Sequence, residues 1–493
     1  MFQEFSAIKE SSTWISIEPL LKGWSKDKKY IITDQNNKKY LLRISNIDLY
    51  EKKLKQFNLL KSVEKLNINA SKPIAFGKLN EKELYMLLSY LEGEDAESYV
   101  NKINDEEAYL LGFQTGKILK KLHSIPFDNI EKSWSEKYHE KIKRKIKIAR
   151  DCPYKIANLD LIIEYVEANL DLVNNRPQLF AHGDFHLGNL IVNNGEIGVI
   201  DFDKNGIADP YDEFKPFCWN VFVNEYFETG LINGYFDNNV PSDFFKVLAL
   251  YAAEQLLSHL PWAIQFGEQE IKTAYKVMDA VLDWYDNFNL IIPKWYKVNK
   301  VQEHYDLLID ENNDPVEDSI NLKTYMDKWD GERFIKSLKL NKQKSVLEIG
   351  VGTGRLAIKV VPFVNKFTGI DISLKTIQKA KEHLTGNINL IHDDFMYHDF
   401  DETFDIIYSS LTFMHFKRKE NVLNKIKDLL NEDGICVISI DKNQDKYIDY
   451  QIRKIEIYPC TNVEFINIVN KVKLKINEQY ETEHAWIFVI SKR

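Results

Sequence analysis

The pattern of apolar and polar positions begins with strands. Residues 28–34 (KKYIITD) and 38–45 (KKYLLRIS) alternate as strands do, and the polar turn between them predicts a hairpin. Residues 49–65 have the apolar spacing of a helix, and 83–93 (ELYMLLSYLEG) predicts a further strand that ends at Gly93. The chain therefore opens with a small sheet and one helix.

Helical spacing then dominates as far as about residue 290. Apolar residues recur at helical spacing over 106–125, whereas the lysine-rich segment 137–150 is typical of a solvated helix face. Strands followed by helices indicate an α+β domain with two lobes, which we place at about 1–92 and 93–297.

A different rhythm follows the polar, proline-containing segment 291–300, where we place a domain boundary. Residues 301–340 are polar and include an amphipathic stretch, 325–338, that predicts a helix. Strands then alternate with helices, which predicts a Rossmann-like α/β sheet with parallel strands. The predicted domains are 1–297 and 298–493, with 301–340 as a linker or lid.

Bulk composition narrows the function classes. A length of 493 residues predicts two or three domains, because single cores stop growing at roughly 250–300 residues. A net charge of −9 disfavours a dedicated nucleic-acid binder, which would carry a basic excess. Four dispersed cysteines indicate reduced thiols, and neither a signal peptide nor an apolar run of the ~18 residues that span a membrane is visible. We expect a cytoplasmic protein without membrane or nucleic-acid partners and leave its oligomeric state open.

Candidate chemistry is concentrated in residues 181–203, AHGDFHLGNLIVNNGEIGVIDFD. His182, Gly183 and Asp184 are followed five residues later by Asn189, and a short apolar strand then leads to Asp201. One carboxylate can accept the proton of an acceptor hydroxyl, while an amide and a second carboxylate offer the oxygen ligands that Mg²⁺ prefers. The spacing therefore indicates phosphoryl transfer.

Residues from 15 to about 290 resemble the aminoglycoside phosphotransferase family, which includes choline-kinase-like enzymes. HGDFHLGN and the later run DPYDEF carry the resemblance. It implies a kinase-like fold, with Asp184 as the catalytic base, Asn189 and Asp201 as Mg²⁺ ligands, and His182 fixing the loop. Asp203 is expected to assist with the metal or the substrate.

The same resemblance implies a nucleotide site between the two lobes. Arg43, on the third strand, takes the position of the basic residue that neutralises nucleotide phosphates, and its helix partner is Gln56 or Glu51. Catalysis in this region is thus assigned to Asp184, His182 and Arg43.

The remaining nucleotide contacts are predicted from loops. Ser25 and Lys26 form a short loop that could cover phosphates, although an ordinary turn fits equally well. The hinge, including Ser89 and Leu91, should bond the purine through its backbone. Because ATP and GTP both use backbone contacts, the sequence does not choose between them.

The acceptor is left open between several small alcohols. Members of the resembled family phosphorylate aminoglycosides, macrolides, choline and homoserine. Acidic residues on the later helices either line a pocket for a polycation or lie on solvated helix faces. These residues are Glu254, Glu268, Glu270, Asp279, Asp283 and Asp286.

The second predicted domain begins with a glycine-rich loop, EIGVGTGR, after an apolar strand. Gly350, Gly352 and Gly354 let the backbone approach a ligand, but Arg355 stands where a dinucleotide fingerprint would have glycine. With Glu348 before it, this loop resembles that of class I S-adenosylmethionine-dependent methyltransferases, and the resemblance covers about residues 301–493.

That resemblance assigns the cofactor contacts by strand order. Asp371, at the end of the second strand, would accept both ribose hydroxyls. Asp394 and Phe395 end the third strand, where this family holds the adenine, and Ser409 ends the fourth, beside the methionine tail and the substrate.

Acceptor-side residues of this domain are less defined. His415 and Tyr408 are candidates for a base near the cofactor, although a lone histidine at a helix start is more often a packing or capping group. Tyr325 and Trp329 either form a lid over the cofactor or belong to the core. No Asn-Pro-Pro-Tyr-like motif follows the fourth strand, which disfavours methylation of DNA bases.

We therefore expect a bifunctional enzyme that uses Mg²⁺ with ATP or GTP and S-adenosylmethionine to modify small molecules. The fusion suggests one pathway, or two attacks on one compound such as an antibiotic. The main alternative is a methyltransferase with a catalytically silent, ligand-binding kinase-like module. An RNA-modifying enzyme is a further alternative.

Overall fold

The computed structural model describes residues 3–21, 27–127, 132–297, 299–450 and 453–493. The chain folds as two compact units, Met1–Lys297 and Val298–Arg493. These are called the front unit and the rear unit. Across the described residues, no helix is both long and apolar enough to cross a bilayer.

The first lobe of the front unit is an antiparallel sheet with a helix. Its five main strands lie in the order β1-β2-β3-β6-β5, and the predicted hairpin is the β2–β3 pair. Strand β6 ends at Ser89, and not at Gly93 as the sequence predicts, because the chain leaves the sheet after Tyr90. The elements are β1 Trp14–Pro19, β2 Lys28–Asp34, β3 Lys39–Asn46, α1 Tyr50–Glu64, β4 Asn69–Ala70, β5 Pro73–Lys78 and β6 Glu83–Ser89.

The second lobe is mainly helical, with short strands around residues 182–201, the segment that carries the predicted catalytic and metal-binding residues. Strands β9 and β10 pair through a tight turn at Asn194 and Gly195, both with positive φ, as hairpin turns require. The elements are β7 Glu94–Asp95, α2 Ala96–Val100, α3 Asp105–Leu122, α4 Trp134–Arg150, α5 Leu159–Ala168, β8 Leu179–Ala181, β9 Leu190–Asn193, β10 Glu196–Val199, β11 Gly206–Ala208, α6 Phe217–Val221, α7 Glu225–Tyr235, α8 Phe244–Ala263 and α9 Glu268–Trp284.

Helices α3 and α7 pack with their backbones almost in contact. A Cβ added to Gly112 would lie 2.0 Å from the Phe227 carbonyl oxygen, and one added to Gly234 would lie 2.0 Å from the Phe113 carbonyl oxygen. Small residues on both helices therefore permit an approach that any side chain would block. This contact fixes α7 beside the elements that carry the site.

The rear unit is a seven-stranded mixed sheet in the order β14-β13-β12-β15-β16-β20-β19. The five strands from β12 to β16 are parallel, as the sequence predicts, and β20 and β19 continue the sheet antiparallel. The strands are β12 Ser345–Ile349, β13 Lys366–Asp371, β14 Ile388–His392, β15 Phe404–Ser409, β16 Leu430–Asp441, β17 Tyr447–Tyr450, β18 Arg453–Glu456, β19 Leu474–Glu481 and β20 Ala485–Lys492.

Helices cover both faces of this sheet and precede it. The predicted single helix over 325–338 is wrong: two helices form, and the Asp330 side chain caps the second by accepting the Gly331 amide. The helices are α10 Lys300–Asp310, α11 Ile320–Met326, α12 Gly331–Ser337, α13 Ala357–Val360, α14 Leu374–His383, α15 Lys419–Leu429 and α16 Asn462–Lys471.

Candidate active sites

The loop after β8 is held by one buried carboxylate. Glu213 accepts hydrogen bonds from the amides of His182 at 2.7 Å and Gly183 at 2.8 Å. Gly183 has φ +83°, and a Cβ there would lie 2.3 Å from the Lys204 carbonyl oxygen. The loop therefore needs glycine at this position, and Glu213 fixes the backbone that leads into Asp184.

His182 joins the two parts of the motif. Its side chain is buried, and Nε2 lies 3.0 Å from the carbonyl oxygen of Ile200, the residue before Asp201. Burial lowers the pKa of His182, so the neutral ring donates this hydrogen bond from Nε2. His182 is therefore a positioning residue, as the family resemblance implies.

Asn189 and Lys204 orient the Asp184 carboxylate. The Asn189 Nδ2 group donates to the Asp184 carbonyl oxygen at 2.8 Å and to Oδ2 at 3.0 Å, which leaves the amide oxygen for another partner. Lys204 Nζ lies 2.9 Å from Asp184 Oδ1. Burial alone would raise the pKa of Asp184, but hydrogen bonds and charge from His186 and Lys204 outweigh it and hold this pKa well below its usual range.

Asp201 has two features of a strained functional residue. Its backbone is left-handed, with φ +60°, which a non-glycine residue adopts at a cost. Its Oδ1 atom is buried and has no hydrogen-bond partner among the residues that the structure describes. A buried carboxylate oxygen without a partner is rare, and a divalent cation would satisfy it. The donor set of Asp201 and Asn189 fits the oxygen ligands of Mg²⁺.

Arg43 is paired differently from the prediction. Its guanidinium donates to Asp27 Oδ2 from Nε at 2.9 Å and from Nη2 at 2.6 Å, and Nη2 also contacts Asp203. Lys53 of α1 donates to Asp27 at 2.7 Å. The acid that orients Arg43 within its own lobe therefore comes from the start of β2, and the helix contributes a cation.

The two predicted helix partners of Arg43 are accordingly corrected. Glu51 is exposed, whereas Arg43 is buried. Gln56 is buried but bonds Asp203, not Arg43. Asp203 thus links the second lobe to β3 and α1 through one carboxylate.

The remaining predicted nucleotide contacts are only partly visible. Ser25 and Lys26 lie outside the described residues. The Ser89 amide donates to the Lys72 carbonyl at 2.9 Å, so a purine contact by Ser89 would use its carbonyl. Leu91 packs against β10, where its Cδ1 would lie 3.2 Å from a Cβ on Gly198, three residues before Asp201.

Asp209 secures the turn that carries Glu213. It caps that turn by accepting the Tyr211 amide at 3.0 Å, and it receives two hydrogen bonds from Arg176, at 2.8 and 2.9 Å. Tyr251 of α8 donates to the same carboxylate at 2.5 Å. Asp209 therefore both begins a turn and buttresses the loop.

The acidic pocket that the sequence allowed is not formed by Glu254. This carboxylate is fully buried and is surrounded by Lys141, Lys145 and Lys215. The segment predicted as a solvated, lysine-rich face is thus partly buried, because α4 packs Lys141 and Lys145 against α8. Most of the other candidate acids, Glu268, Asp279, Asp283 and Asp286, are exposed.

The glycine-rich loop of the rear unit leaves room for a ligand. Gly352 has φ +54°, and a Cβ built on it would meet nothing within 4 Å. Gly350 and Gly354 also have positive φ, at +77° and +100°. Asp371 Oδ2 accepts the Gly352 amide at 2.8 Å, and Oδ1 accepts the Ser373 amide at 2.9 Å. The loop and the end of β13 therefore form one cradle with open space at Gly352.

Three predicted cofactor residues turn their side chains into the protein. Glu348 is buried, accepts the Tyr408 hydroxyl at 2.7 Å, and has its pKa raised to about 8 by burial. The Ser409 hydroxyl donates to the Ile349 carbonyl at 3.0 Å. Phe395 is buried in the core, so it and Ser409 can reach a cofactor only through their backbones. Tyr408, bound to Glu348, is not free to act as a base.

Asp394 is placed as predicted, at the end of β14. Its Oδ1 accepts the Met396 amide at 2.8 Å, and burial raises its pKa to about 6. A carboxylate with this pKa changes its charge under mild conditions. The contribution of Asp394 to ligand binding can therefore be tested by measuring affinity at different pH values.

The cover of this cradle is α10, which the sequence does not single out. Tyr305 hydrogen-bonds His415 Nε2 at 2.9 Å, and Asp306 accepts the Ser373 hydroxyl at 2.7 Å. Trp329 instead donates to Asp441 at 3.0 Å, and Tyr325 is half exposed. The lid hypothesis thus applies to an earlier part of the predicted linker.

Comparison with known proteins identifies both units. Residues 16–239 match the Phosphotransferase enzyme family, and residues 346–434 match the Methyltransferase domain family. This chain joins a phosphotransferase-family domain to a methyltransferase domain.

Curated relatives of the methyltransferase domain are partial matches. An uncharacterized methyltransferase of Anoxybacillus flavithermus is 34% identical over 119 residues, which are 23% of this chain and 56% of the relative. Malonyl-[acyl-carrier protein] O-methyltransferase 1 of Ilyobacter polytropus is 32% identical over 107 residues, 21% of this chain and 40% of the relative. The chain spans about half the length of the curated relatives it matches.

Solved structures similar to the phosphotransferase domain are distant in sequence. The GDP complex of aminoglycoside 2'-phosphotransferase-IIIa is 13% identical, covers 57% of this chain and 96% of that chain, and has a TM-score of 0.46. The amicoumacin kinase hAmiN, in complex with AMP-PNP, Ca²⁺ and Ami, is 14% identical, with coverage of 59% and 96% and a TM-score of 0.42.

The support of the loop at residues 182–189 should depend on pH through Glu228. Asn220 bonds the Leu187 amide with its oxygen and Glu228 with its nitrogen, and burial raises the pKa of Glu228 from 4.5 to about 8. Between these values the folded chain holds one more proton than the unfolded chain, so stability falls as pH rises. Glu228→Gln should remove this loss, a difference on the order of a few kcal/mol at pH 8 and small at pH 4.5.

Calorimetric unfolding of both proteins from pH 4.5 to pH 8 measures this difference. Glu225→Gln, on the same helix but partly exposed, is the control and should follow the wild type. Parallel stability curves for the wild type and Glu228→Gln would contradict the assignment.

Proposed function

We propose that the phosphotransferase domain transfers the γ-phosphoryl group of ATP or GTP to a hydroxyl of a small molecule. The observation that carries this proposal is the arrangement of the loop, in which Asn189 orients Asp184 and Asp201 keeps a buried oxygen without a partner. Mg²⁺ bound there would neutralise phosphate charge. The family resemblance adds antibiotic- or choline-like acceptors.

The residues of this chain then have separable tasks. Asp184 is ionised at neutral pH, so it accepts the hydrogen bond of the acceptor hydroxyl and orients the attacking oxygen. Arg43 lies at the cleft with its guanidinium between Asp27 and Asp203, where phosphate oxygens can compete for its donors. Lys204, now paired with Asp184, is a second cation at the same site.

We propose that the other domain methylates a small molecule with S-adenosylmethionine. The open face of Gly352 and the pinned carboxylate of Asp371 support a nucleoside site at the ends of β12 and β13. The cofactor supplies an electrophilic methyl group, so the protein needs to align the acceptor and exclude water. Tyr305 and His415 close the side of the cradle nearest the end of β15.

The alternative is a methyltransferase with a silent kinase-like module. The ion pairs that occupy Arg43 favour it, because a ligand must displace them. Calorimetric titration with ATP and Mg²⁺, followed by nucleotide turnover on a panel of alcohols and amino sugars, separates the two. Binding without turnover on every acceptor would favour the silent module.

Asp184→Asn should lower phosphoryl transfer by at least about 100-fold, because the amide cannot accept the proton and orients the hydroxyl poorly. Methyl transfer should be unchanged. The measurement is labelled-phosphate transfer and labelled-methyl transfer in parallel, with Asp160→Asn as an exposed control. Full phosphoryl transfer by Asp184→Asn would refute the assignment.

Affinity for S-adenosylmethionine should rise with pH through Asp394. With a pKa of about 6, roughly one tenth of this carboxyl is ionised at pH 5 and nearly all at pH 7.5. If it accepts the adenine amino group, binding should strengthen about two- to tenfold over this range. Asp394→Asn keeps an acceptor oxygen without the charge, so its affinity should be flat in calorimetric titrations. An equal pH response in both proteins would exclude Asp394 from the adenine site.

A further inference from the structure

The front unit contains a cluster of three lysines around one buried acid. Lys141 and Lys145, one turn apart on α4, reach Glu254 on α8, with Lys141 Nζ at 3.1 Å from Oε2. Lys215 lies 3.7 Å from Glu254 and 2.8 Å from Asp212. These five residues are called the lysine cluster.

The charges of the lysine cluster do not balance. Three ammonium groups face two carboxylates, which leaves a net charge of +1 in this group of residues. Burial lowers the pKa of Lys145, and the charges of Lys141 and Lys215 lower it further while Glu254 opposes them. A structural ion pair would need one lysine for Glu254. For Lys215 the charges of Asp212 and Glu254 outweigh burial and raise the pKa, so the repulsion falls on Lys145, where a further anion would relieve it.

The lysines of the cluster are partly exposed, whereas its central acid is not. The Glu254 side chain is 0% exposed, whereas the side chains of Lys145, Lys215 and Lys141 are 15%, 20% and 23% exposed. The carboxylate therefore serves as a buried anchor that fixes the lysines. Partly desolvated ammonium groups of this kind bind oxyanions more strongly than fully exposed lysines do.

The segment that carries Lys215 also braces the catalytic loop on both sides of Asp184. Glu213 accepts the amides of His182 and Gly183, and Asn220 accepts the Leu187 amide at 2.8 Å. Lys215 lies between these two braces in the sequence. Two members of the lysine cluster, Asp212 and Lys215, thus lie on the same short segment that positions the catalytic loop.

Aromatic side chains lie on α8 and just beyond it, C-terminal to Glu254. His259, five residues after Glu254, contacts Trp219 of α6 with ring centroids 5.9 Å apart, and burial and the charge of Lys145 lower its pKa. Trp262 and Phe266 contact each other with ring centroids 4.6 Å apart and are 45% and 41% exposed. Exposed aromatic rings next to a cationic group suit a molecule with both an apolar part and an anionic part.

We propose that the lysine cluster binds an oxyanion of the phosphoryl acceptor, so the acceptor is a hydroxyl compound that carries a phosphate or a carboxylate. This inference rests on the proposed phosphoryl transfer. It replaces the choline-like and polycationic acceptors that the family resemblance suggests, since Glu254, an acid that a cationic acceptor could have used, is already neutralised from within.

The first test measures, by calorimetric titration, the affinity of the full chain for inorganic phosphate in the presence of ADP and Mg²⁺. Lys145→Met and Lys141→Met keep the aliphatic stem and remove the charge, and each should weaken phosphate binding about tenfold. Lys143→Met, exposed on the same helix, is the control and should bind as the wild type does. Equal binding by all four proteins would overturn the proposal.

The second test compares acceptors in the phosphoryl-transfer assay. Glycerate, glycerol 3-phosphate and serine represent the anionic and zwitterionic hydroxyl compounds, and choline and kanamycin represent cationic ones. We expect turnover of an anionic acceptor, with its KM raised about tenfold in Lys145→Met while the KM for ATP is unchanged. Preference for choline or kanamycin would overturn the proposal.

The two tests separate this inference from the function on which it rests. If no acceptor is phosphorylated but phosphate binding depends on Lys141 and Lys145, the oxyanion site stands and phosphoryl transfer fails. If an acceptor is phosphorylated and the lysine variants behave as Lys143→Met does, phosphoryl transfer stands and the oxyanion site fails.

Discussion

The front unit depends on a buried carboxylate that holds a loop from behind. Glu213 accepts the amides of His182 and Gly183, and hydrogen bonds to a charged acceptor are worth about 1.5–3 kcal/mol each. Asp209 fixes the turn that carries Glu213, through Arg176 and its own backbone cap. The loop backbone is therefore anchored from Glu213, while the Asp184 carboxylate itself is oriented by Asn189 and Lys204.

The second constraint is the repulsion between the carboxylates in the cleft of the front unit. The cleft brings together Asp27, Asp201 and Asp203, and such a group is tolerable only with cations or a metal ion nearby. Arg43 and Lys53 provide the cations, and the acid that would be expected on α1 is Asp27, immediately before β2. The arginine therefore still has a carboxylate partner, but this partner lies beside β2, and α1 contributes the cation of Lys53. This placement also explains why a search of α1 alone fails to find the partner.

Local sequence patterns predicted most helices and strands, whereas they did not predict contacts between residues far apart in the chain. The glycine spacing from Gly350 and the strand rhythm after it predicted the rear sheet, because both are properties of adjacent residues. Asp27 could not be found in this way, since its link to Arg43 depends on the pairing of β2 with β3. Tyr305 was missed for the same reason: its partner, His415, is 110 residues away. The burial of Glu254 likewise depends on helix packing and not on sequence spacing.

The proposed phosphoryl transfer depends most on Asn189 and Asp201, which would hold one divalent ion between Asp184 and a nucleotide. The most direct test of this metal site is the affinity for Mn²⁺, measured by electron paramagnetic resonance with and without a non-hydrolysable ATP analogue. The wild type should bind Mn²⁺ more tightly when the analogue is present, and Asp201→Asn should weaken that binding at least about tenfold, since it removes a charged oxygen ligand. Equal Mn²⁺ affinity in the two proteins, or no dependence on the analogue, would contradict the account.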